Sequence, residues 1–274
     1  MSDHEKVPIL DHGYCQLIES WGSDERVVEA ARMSTGKGFR TWEPYHECTE
    51  CGAWWLATEH PPCEHSMQDW RYVPKGDAGL LGYLWTEEPK HTTPFEMAGM
   101  IVETADPTCV IWEWVRHRTQ SYNIQSSRYG PIPDKDYVPT ITRLMMGNDG
   151  KNKQAGSVNG TQLTEANAEL FQLRLKDSYA EQQDLYERSL ADGVPKELAR
   201  LALTFGRYWR MRASANLLNW LKFVTLRSHK KAQWEIRQYS DQVGRVLGYL
   251  FPRTWQLFVG GLKVGDYPFL QEVS

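Results

Sequence analysis

The chain has 274 residues, of which 41% are hydrophobic, with 12 Trp and 13 Tyr, and this is ample for a core and excludes a disordered protein. Its net charge of -4 gives no global attraction to nucleic acid, so any anion site must be local. No apolar run approaches the roughly 20 residues that cross a bilayer, and the amino terminus lacks the apolar segment of a signal peptide. We therefore expect a cytoplasmic protein.

Two short elements are predicted near the amino terminus. Residues 7–10 have the composition of a strand. Ser23 and Asp24 are typical helix caps, and Val27 and Val28 follow them at positions suited to a buried helix face.

Residues 38–76 break the pattern, since they are rich in Trp, Pro and Cys and show no sustained periodicity. Cys48 and Cys51 are separated by two residues, and about a dozen residues later Cys63 and His65 are separated by one. This spacing of two ligand pairs is typical of zinc sites. A loop with free thiols is the alternative. We predict a structural zinc clip, because four protein ligands leave no position for a substrate.

The middle of the chain reads as a short helix over residues 79–85, a strand over 97–102 and a turn at Asp106-Pro107. Residues 108–118 are then predicted to form a helix. Residues 121–160 are rich in loops, and we expect 146–160 to be the most mobile part.

The predicted helix over 108–118 ends in three adjacent basic side chains, Arg116, His117 and Arg118, and Arg128 follows ten residues later. Arg offers planar, bidentate donors that match a phosphate, so this pattern indicates an anionic ligand. A solvated helix end, whose cations complement the helix dipole, is the alternative.

Long helices are predicted in the carboxy-terminal half. One helix has an apolar face and ends at Asp192-Gly193, and Val194-Pro195 begins the next. A heptad-like stripe follows, which is typical of core or of a subunit contact. The first face contains Phe171, Leu175, Tyr179, Tyr186 and Leu190, and the stripe contains Ala232, Ile236, Tyr239, Val243, Val246 and Leu250.

These elements predict an α+β fold, with a mixed sheet flanked by helices and a helical carboxy-terminal half. No linker separates two units. We therefore expect one catalytic domain over residues 1–274, in which 38–76 is an inserted Cys/His-rich segment.

Several segments, in the same order, resemble the flavin-dependent thymidylate synthases. The central one is Arg116-His117-Arg118, then seven residues, then Ser126, with Arg128-Tyr129 after it. The resemblance covers most of the chain outside 38–76 and roughly 135–165. The other segments are residues 9–13, Ala30-Ala31-Arg32-Met33-Ser34, His91-Thr92-Thr93-Pro94-Phe95-Glu96, residues 194–200, Leu226-Arg227 and residues 232–236.

This resemblance implies reductive methylation of dUMP at C5, with carbon from methylenetetrahydrofolate, hydride from reduced FAD, and NADPH to re-reduce the flavin. It implies a homotetramer whose active sites lie between subunits. The family uses no cysteine nucleophile, and Cys15 and Cys109 lie in apolar surroundings typical of core.

The resemblance also implies roles for individual residues. Arg227 matches the catalytic Arg, which stabilises negative charge developing on the pyrimidine. The predicted flavin contacts are Ser34, His91, Thr93, Arg116, His117, Arg118, Asn216 and Lys222. The predicted nucleotide contacts are Glu113, Arg116, Ser126, Ser127, Arg128, Arg200 and Arg227.

Four positions depart from the family pattern. Glu113 stands where Gln is usual, Ile124 where Glu is usual, Leu218 where a flavin-binding Arg is common, and Lys222 where Asn or His is. A carboxylate beside a phosphate would be repelled, unless Arg116 or Arg200 pairs with it.

Three interpretations of the chain follow. In the first, the substrate is dUMP, and Glu113 takes over the charge lost at Ile124. In the second, the chain is a related enzyme whose substrate is a different pyrimidine nucleotide. In a third, the chain is a zinc-containing nucleic-acid-binding protein that uses its basic cluster and Trp54-Trp55 to stack bases. The net acidity of the chain counts against the last.

Overall fold

The computed structural model describes residues 5–146 and 163–271; residues 147–160 of the segment expected to be mobile lie outside this range. Within it, the strands form a five-stranded sheet in the order β1-β2-β6-β8-β7 and a three-stranded sheet in the order β4-β3-β5. The strands are β1 (Val7–Ile9), β2 (Gly13–Trp21), β3 (Tyr45–Cys48), β4 (Trp54–Leu56), β5 (Trp70–Val73), β6 (Gly99–Pro107), β7 (Ser121–Ile124) and β8 (Tyr208–Asn216).

The five-stranded sheet confirms the α+β class, although every pairing in it is antiparallel rather than mixed. β6 lies at its centre, and nearly all of its residues are buried on both faces. The register of β6 with β8 places Glu103 opposite Arg212, whose Nε donates to the Glu103 carboxylate at 2.9 Å. Opposite charges across a strand pair help to specify this register.

Helices cover the five-stranded sheet. The predicted cap of α1 is confirmed, because the Ser23 hydroxyl accepts from the backbone N–H of Arg26. The described helices are α1 (Asp24–Ala31), α2 (Gly76–Thr86), α3 (Thr108–Trp114), α4 (Ile141–Met145), α5 (Glu165–Ala191), α6 (Lys196–Ala199), α7 (Leu217–Arg227), α8 (Trp234–Leu250) and α9 (Pro252–Gly260). None of them is both long and apolar enough to cross a membrane.

The predicted stripe on α8 belongs to the core of its own chain, where Ile236, Tyr239 and Val243 are fully buried. The Tyr239 hydroxyl donates to the carbonyl oxygen of Ala105 at 2.7 Å and so ties α8 to β6. Gly13 allows this close approach, because a Cβ atom there would lie 2.1 Å from the Tyr239 hydroxyl.

Two local predictions were wrong, and six strands were not predicted: β2, β3, β4, β5, β7 and β8. Asp106-Pro107 is the buried end of β6 rather than a turn, and the helix predicted to reach Arg118 ends at Trp114. The region expected to be helical contains β8, the strand that pairs with both β6 and β7.

Residues 38–76 contain the three-stranded sheet, in which aromatic side chains from neighbouring strands pack against one another. His46 on β3 stacks on Trp55 of β4 with ring centroids 5.7 Å apart, and Trp70 of β5 meets Trp55 edge-on at 5.1 Å. Such aromatic pairs stabilise a small sheet that has little other core.

Candidate active site

The Arg116-His117-Arg118 cluster lies in a tight turn directly after α3. The turn is closed by the backbone N–H of His117, which donates to the Trp114 carbonyl oxygen at 2.9 Å. Trp114 is fully buried, and its indole stacks on Phe223 of α7 at 4.3 Å. Because the turn begins at a core residue, its position relative to α7 is fixed.

Arg227, at the end of α7, is bound by this turn. Its Nε donates to His117 Nε2 at 2.9 Å, one terminal nitrogen donates to the Glu113 backbone oxygen at 2.9 Å, and the other donates to the Glu113 carboxylate. Arg227 is only 8% exposed. A guanidinium has five N–H groups, so one N–H on each terminal nitrogen has no acceptor among the residues that the structure describes.

His117 is held in its neutral form by this arrangement. Burial and, to a smaller extent, the positive charge of Arg227 lower the pKa of His117 to about 4, while Glu113 opposes the shift. A neutral imidazole can accept a hydrogen bond through Nε2, and Nε2 is the atom that receives the Arg227 Nε–H.

Glu113 has two cationic partners. Besides Arg227, Arg116 lies 3.6 Å from its carboxylate. Of the two Arg side chains expected to offset this carboxylate, Arg116 does so. Among the described residues no ion pair joins Arg200 to Glu113; Arg200 Nε donates to the Glu197 carbonyl oxygen at 3.2 Å.

A second group of predicted nucleotide contacts lies where the loop after β7 meets α6. Arg128 pairs with Glu197 at 3.1 Å, and the backbone N–H of Arg128 donates to the Ser126 hydroxyl at 3.3 Å. Ser127 is fully buried, and its hydroxyl has no hydrogen-bond partner among the described residues. An unpaired buried hydroxyl beside exposed cations fits a site that a polar ligand completes.

A third group contains predicted flavin contacts. Asn216 caps α7, since its side-chain oxygen accepts from the Asn219 N–H at 2.9 Å. Its amide nitrogen donates to Glu96 at 3.3 Å, and Glu96 lies in the same 3-10 turn as Thr93. Asn216 and Thr93 are thereby brought to one edge of the sheet.

The remaining predicted flavin contacts are exposed. The ring of His91 stacks on Tyr83 at 5.8 Å. Ser34 lies in a 3-10 turn after α1, Arg118 follows His117, and Lys222 lies on α7.

Within the described part of one chain, no hydrogen bond or ion pair joins the Arg227 group to the Arg128 group or to Asn216. Of the positions that depart from the family pattern, Leu218 is 7% exposed and lies in the core, so it cannot replace a ligand-binding Arg. Ile124 also packs against the core.

The sequence analysis did not predict two residues that bind candidate site residues. Glu197 binds Arg128 across 69 positions, and no local spacing could have shown this. Glu96 binds Asn216, and its place in the His91 box was an available signal.

The predicted metal ligands Cys48, Cys51, Cys63 and His65 come together, with their ligand atoms all within 4.8 Å of one another. The backbone N–H of Cys51 donates to the Cys48 sulfur and helps to lower the pKa of that thiol to about 7.

Known proteins match the chain over nearly its whole length. The family model described as "Thymidylate synthase complementing protein" matches residues 16–253. The flavin-dependent thymidylate synthase of Anaplasma marginale (strain St. Maries) is 31% identical over 257 residues, which is 93% of this chain and 75% of the relative. That of Thermosipho melanesiensis is 30% identical over 266 residues, which is 97% and 98% of the two chains.

Solved structures match the fold. The UMP/dUMP methylase PolB from Streptomyces cacaoi, bound with 5-Br dUMP, has 25% sequence identity and a TM-score of 0.68, over 93% of this chain and 97% of that one. The same protein bound with 5-Br UMP gives 23% identity and a TM-score of 0.69, over 93% and 96%.

Proposed function

The chain belongs to the flavin-dependent thymidylate synthases, and on that premise we propose that it methylates dUMP at C5 to give dTMP. FAD is the bound cofactor, and methylenetetrahydrofolate and NADPH are the co-substrates. Reduced FAD supplies the hydride, methylenetetrahydrofolate supplies the carbon, and NADPH returns the flavin to its reduced form. The family assignment argues against a nucleic-acid-binding protein and favours dUMP over other pyrimidine nucleotides.

The observation that carries this proposal is the immobilised guanidinium of Arg227, in which one N–H on each terminal nitrogen has no acceptor in the described part of the chain. Negative charge develops on the pyrimidine ring as C5 becomes nucleophilic. A preorganised donor stabilises such charge without reorganising, and losing one typically costs on the order of 10²–10³ in rate. Arg227 is therefore the catalytic residue of the proposal.

The side chains proposed to bind the nucleotide lie near Arg227 or near Glu197. Arg128 and Arg200 would bind the phosphate, and Ser126 and the unpaired hydroxyl of Ser127 would donate to it. Glu113 and Arg116 complete this set.

The residues available to FAD suit an anionic reduced flavin. Arg116 and Arg118 are exposed cations on a fixed turn, and positive charge near a flavin stabilises its reduced anion. Neutral His117 would accompany them. The other proposed contacts are Ser34, His91, Thr93, Asn216 and Lys222.

The separation of these groups within one chain supports an active site completed by other subunits of a homotetramer. We propose one catalytic domain over residues 1–274, with 38–76 inserted, and a cytoplasmic location. A structural Zn²⁺ in the insertion takes no part in the chemistry.

Tritium release from C5-tritiated dUMP tests the proposal. Purified protein should be yellow, with FAD absorbance, and should release tritium only when methylenetetrahydrofolate and NADPH are both present. C5-tritiated dCMP run beside it should release none. Colourless protein that releases no tritium after FAD is supplied would refute the function.

A further inference from the structure

The ligand atoms of Cys48, Cys51, Cys63 and His65 in the insertion all lie within 4.8 Å of one another, and one pair has the separation of a tetrahedral zinc site. Cys48 ends β3, and Cys51 lies in the turn before β4, while Cys63 and His65 lie in the loop before β5. Cys48 Sγ is 3.5 Å from His65 Nδ1. Two atoms bound at Zn–S of about 2.3 Å and Zn–N of about 2.05 Å, at the tetrahedral angle, would be about 3.6 Å apart.

The backbone around these ligands is already shaped. The Cys48 N–H donates to the Ala53 oxygen at 2.8 Å, and the Gly52 N–H donates to the Cys48 oxygen at 3.0 Å. Gly52 has φ +74°, which favours glycine. Three thiols and an imidazole form a soft donor set that suits Zn²⁺ and does not suit Mg²⁺ or Ca²⁺.

Glu47, the neighbour of Cys48 on β3, is a buried carboxylate with three cationic partners. It is 2% exposed. Lys37 Nζ donates to it at 2.5 Å and Arg40 Nη2 at 2.9 Å, and Arg71 also donates to it. A buried charge is tolerated only when it is paired in this way, so residues 37–40 depend on the position of Glu47.

A second buried carboxylate, Asp77 on α2, holds the other end of the same segment. Arg32 donates to it at 2.6 and 2.9 Å, and the Arg40 backbone N–H donates at 2.8 Å. Between these two anchors, the turn that carries Ser34 is exposed. Two other contacts also hold this segment: Phe39 packs against the core, and Arg32 Nη1 donates to the Gly38 carbonyl oxygen at 2.9 Å. The charged anchors of segment 33–40 are Glu47 and Asp77.

We propose that the insertion binds one Zn²⁺ through Cys48, Cys51, Cys63 and His65, and that the ion holds the turn carrying Ser34 in place through Glu47. Zinc fixes the end of β3, and β3 presents Glu47 to residues 37–40. Loss of the ion therefore loosens the segment 33–40. The further consequence, weaker retention of FAD, rests on the proposed function, in which Ser34 contacts the flavin.

Metal analysis of the purified full-length chain, expressed with added Zn²⁺, tests the site. We expect about one zinc per chain in the wild type, and almost none in Cys51→Ser, whose side chain is exposed so that the change leaves no cavity. Cys109→Ser, a matched thiol change outside the cluster, should keep its zinc. Zinc-free wild type, or full occupancy in Cys51→Ser, would overturn the metal site.

Amide hydrogen exchange tests the connection to Ser34, without any need for activity. Glu47→Gln keeps all four metal ligands, so it should retain zinc while residues 33–40 exchange about tenfold faster than in the wild type. Cys51→Ser should show the same acceleration, and α8 should exchange as in the wild type in both variants. Unchanged exchange at 33–40 in both variants would overturn the connection.

The bound FAD of the same samples separates this proposal from the proposed function. Glu47→Gln and Cys51→Ser should retain less FAD after gel filtration than Cys109→Ser does. Wild-type protein that binds no FAD would contradict the proposed function, whereas the zinc content and the exchange rates would still decide the metal site and its link to residues 33–40.

Discussion

Changing Glu113 to Gln separates the charge of this residue from its hydrogen bond. The amide oxygen of Gln can still accept from Arg227, and the bond from Arg227 to the backbone oxygen of residue 113 is untouched. The position of Arg227 should therefore survive. What is lost is one negative charge that pairs with Arg227 and lies 3.6 Å from Arg116.

The size of the effect follows from the charges. Two unit charges 4 Å apart interact by about 4 kcal/mol at an effective dielectric near 20. The Glu113 side chain is 20% exposed and is already paired with Arg227 and close to Arg116, so we expect its effect on the charge of dUMP to be about a third of this. That third, about 1.4 kcal/mol, corresponds to a Kd for dUMP that is about tenfold lower in Glu113→Gln, with kcat nearly unchanged.

Equilibrium binding of dUMP by calorimetry measures this change. Asp184→Asn removes a carboxylate from an exposed pair with Arg188 on α5, and should leave Kd unaltered. The variant should also have a His117 pKa below the wild-type value of about 4, because Glu113 raises it. A Kd that stays the same or rises in Glu113→Gln, with Asp184→Asn normal, would refute the reasoning and give the carboxylate an adapted role in binding.

Two further changes test the catalytic residue and the core. Arg227→Ala should lower kcat for tritium release by at least about 10² while FAD content stays near the wild-type value; unchanged turnover would remove Arg227 from the mechanism. Burial raises the pKa of Asp106 from 3.8 to about 8, against hydrogen bonds from Thr104 and Trp114. The folded state therefore binds more protons than the unfolded state between about pH 4 and pH 8, so stability falls across that window as pH rises, by up to about 1.4 kcal/mol per pH unit. Asp106→Asn should remove this slope in urea unfolding at pH 6, 7 and 8, and an identical slope in both proteins would show that Asp106 is ionised in the fold.

Elements with a strong local pattern could be predicted from the sequence. The Ser23 cap and the stripe of α8 lie where the pattern placed them. β8 was missed although Met211 and Ala213 are buried and Arg210 and Arg212 are exposed in strict alternation. Its Ala and Ser residues have low strand propensity, and its position next to β6 is decided by pairing rather than by local preference.

The candidate site was predictable as a set of residues but not as an arrangement. The Arg116-His117-Arg118 pattern and the resemblance indicated which side chains take part. The partners of Arg227 lie 110 and 114 positions away, so neither the bond to His117 nor the pair with Glu113 could be read from spacing. Residue spacing reports contacts within one helix or strand, whereas these contacts depend on how α3 and α7 pack.

The burial of the α8 stripe decides where neighbouring chains can meet. The apolar face of α8 is buried within its own chain, so contacts between subunits must use other surfaces. Phe171 and Leu173 on α5 remain 45% and 56% exposed, and a helix of this length offers a broad face for association. If subunits complete each other's pockets through such a face, specific activity becomes a function of protein concentration, and dilution alone should switch the enzyme off.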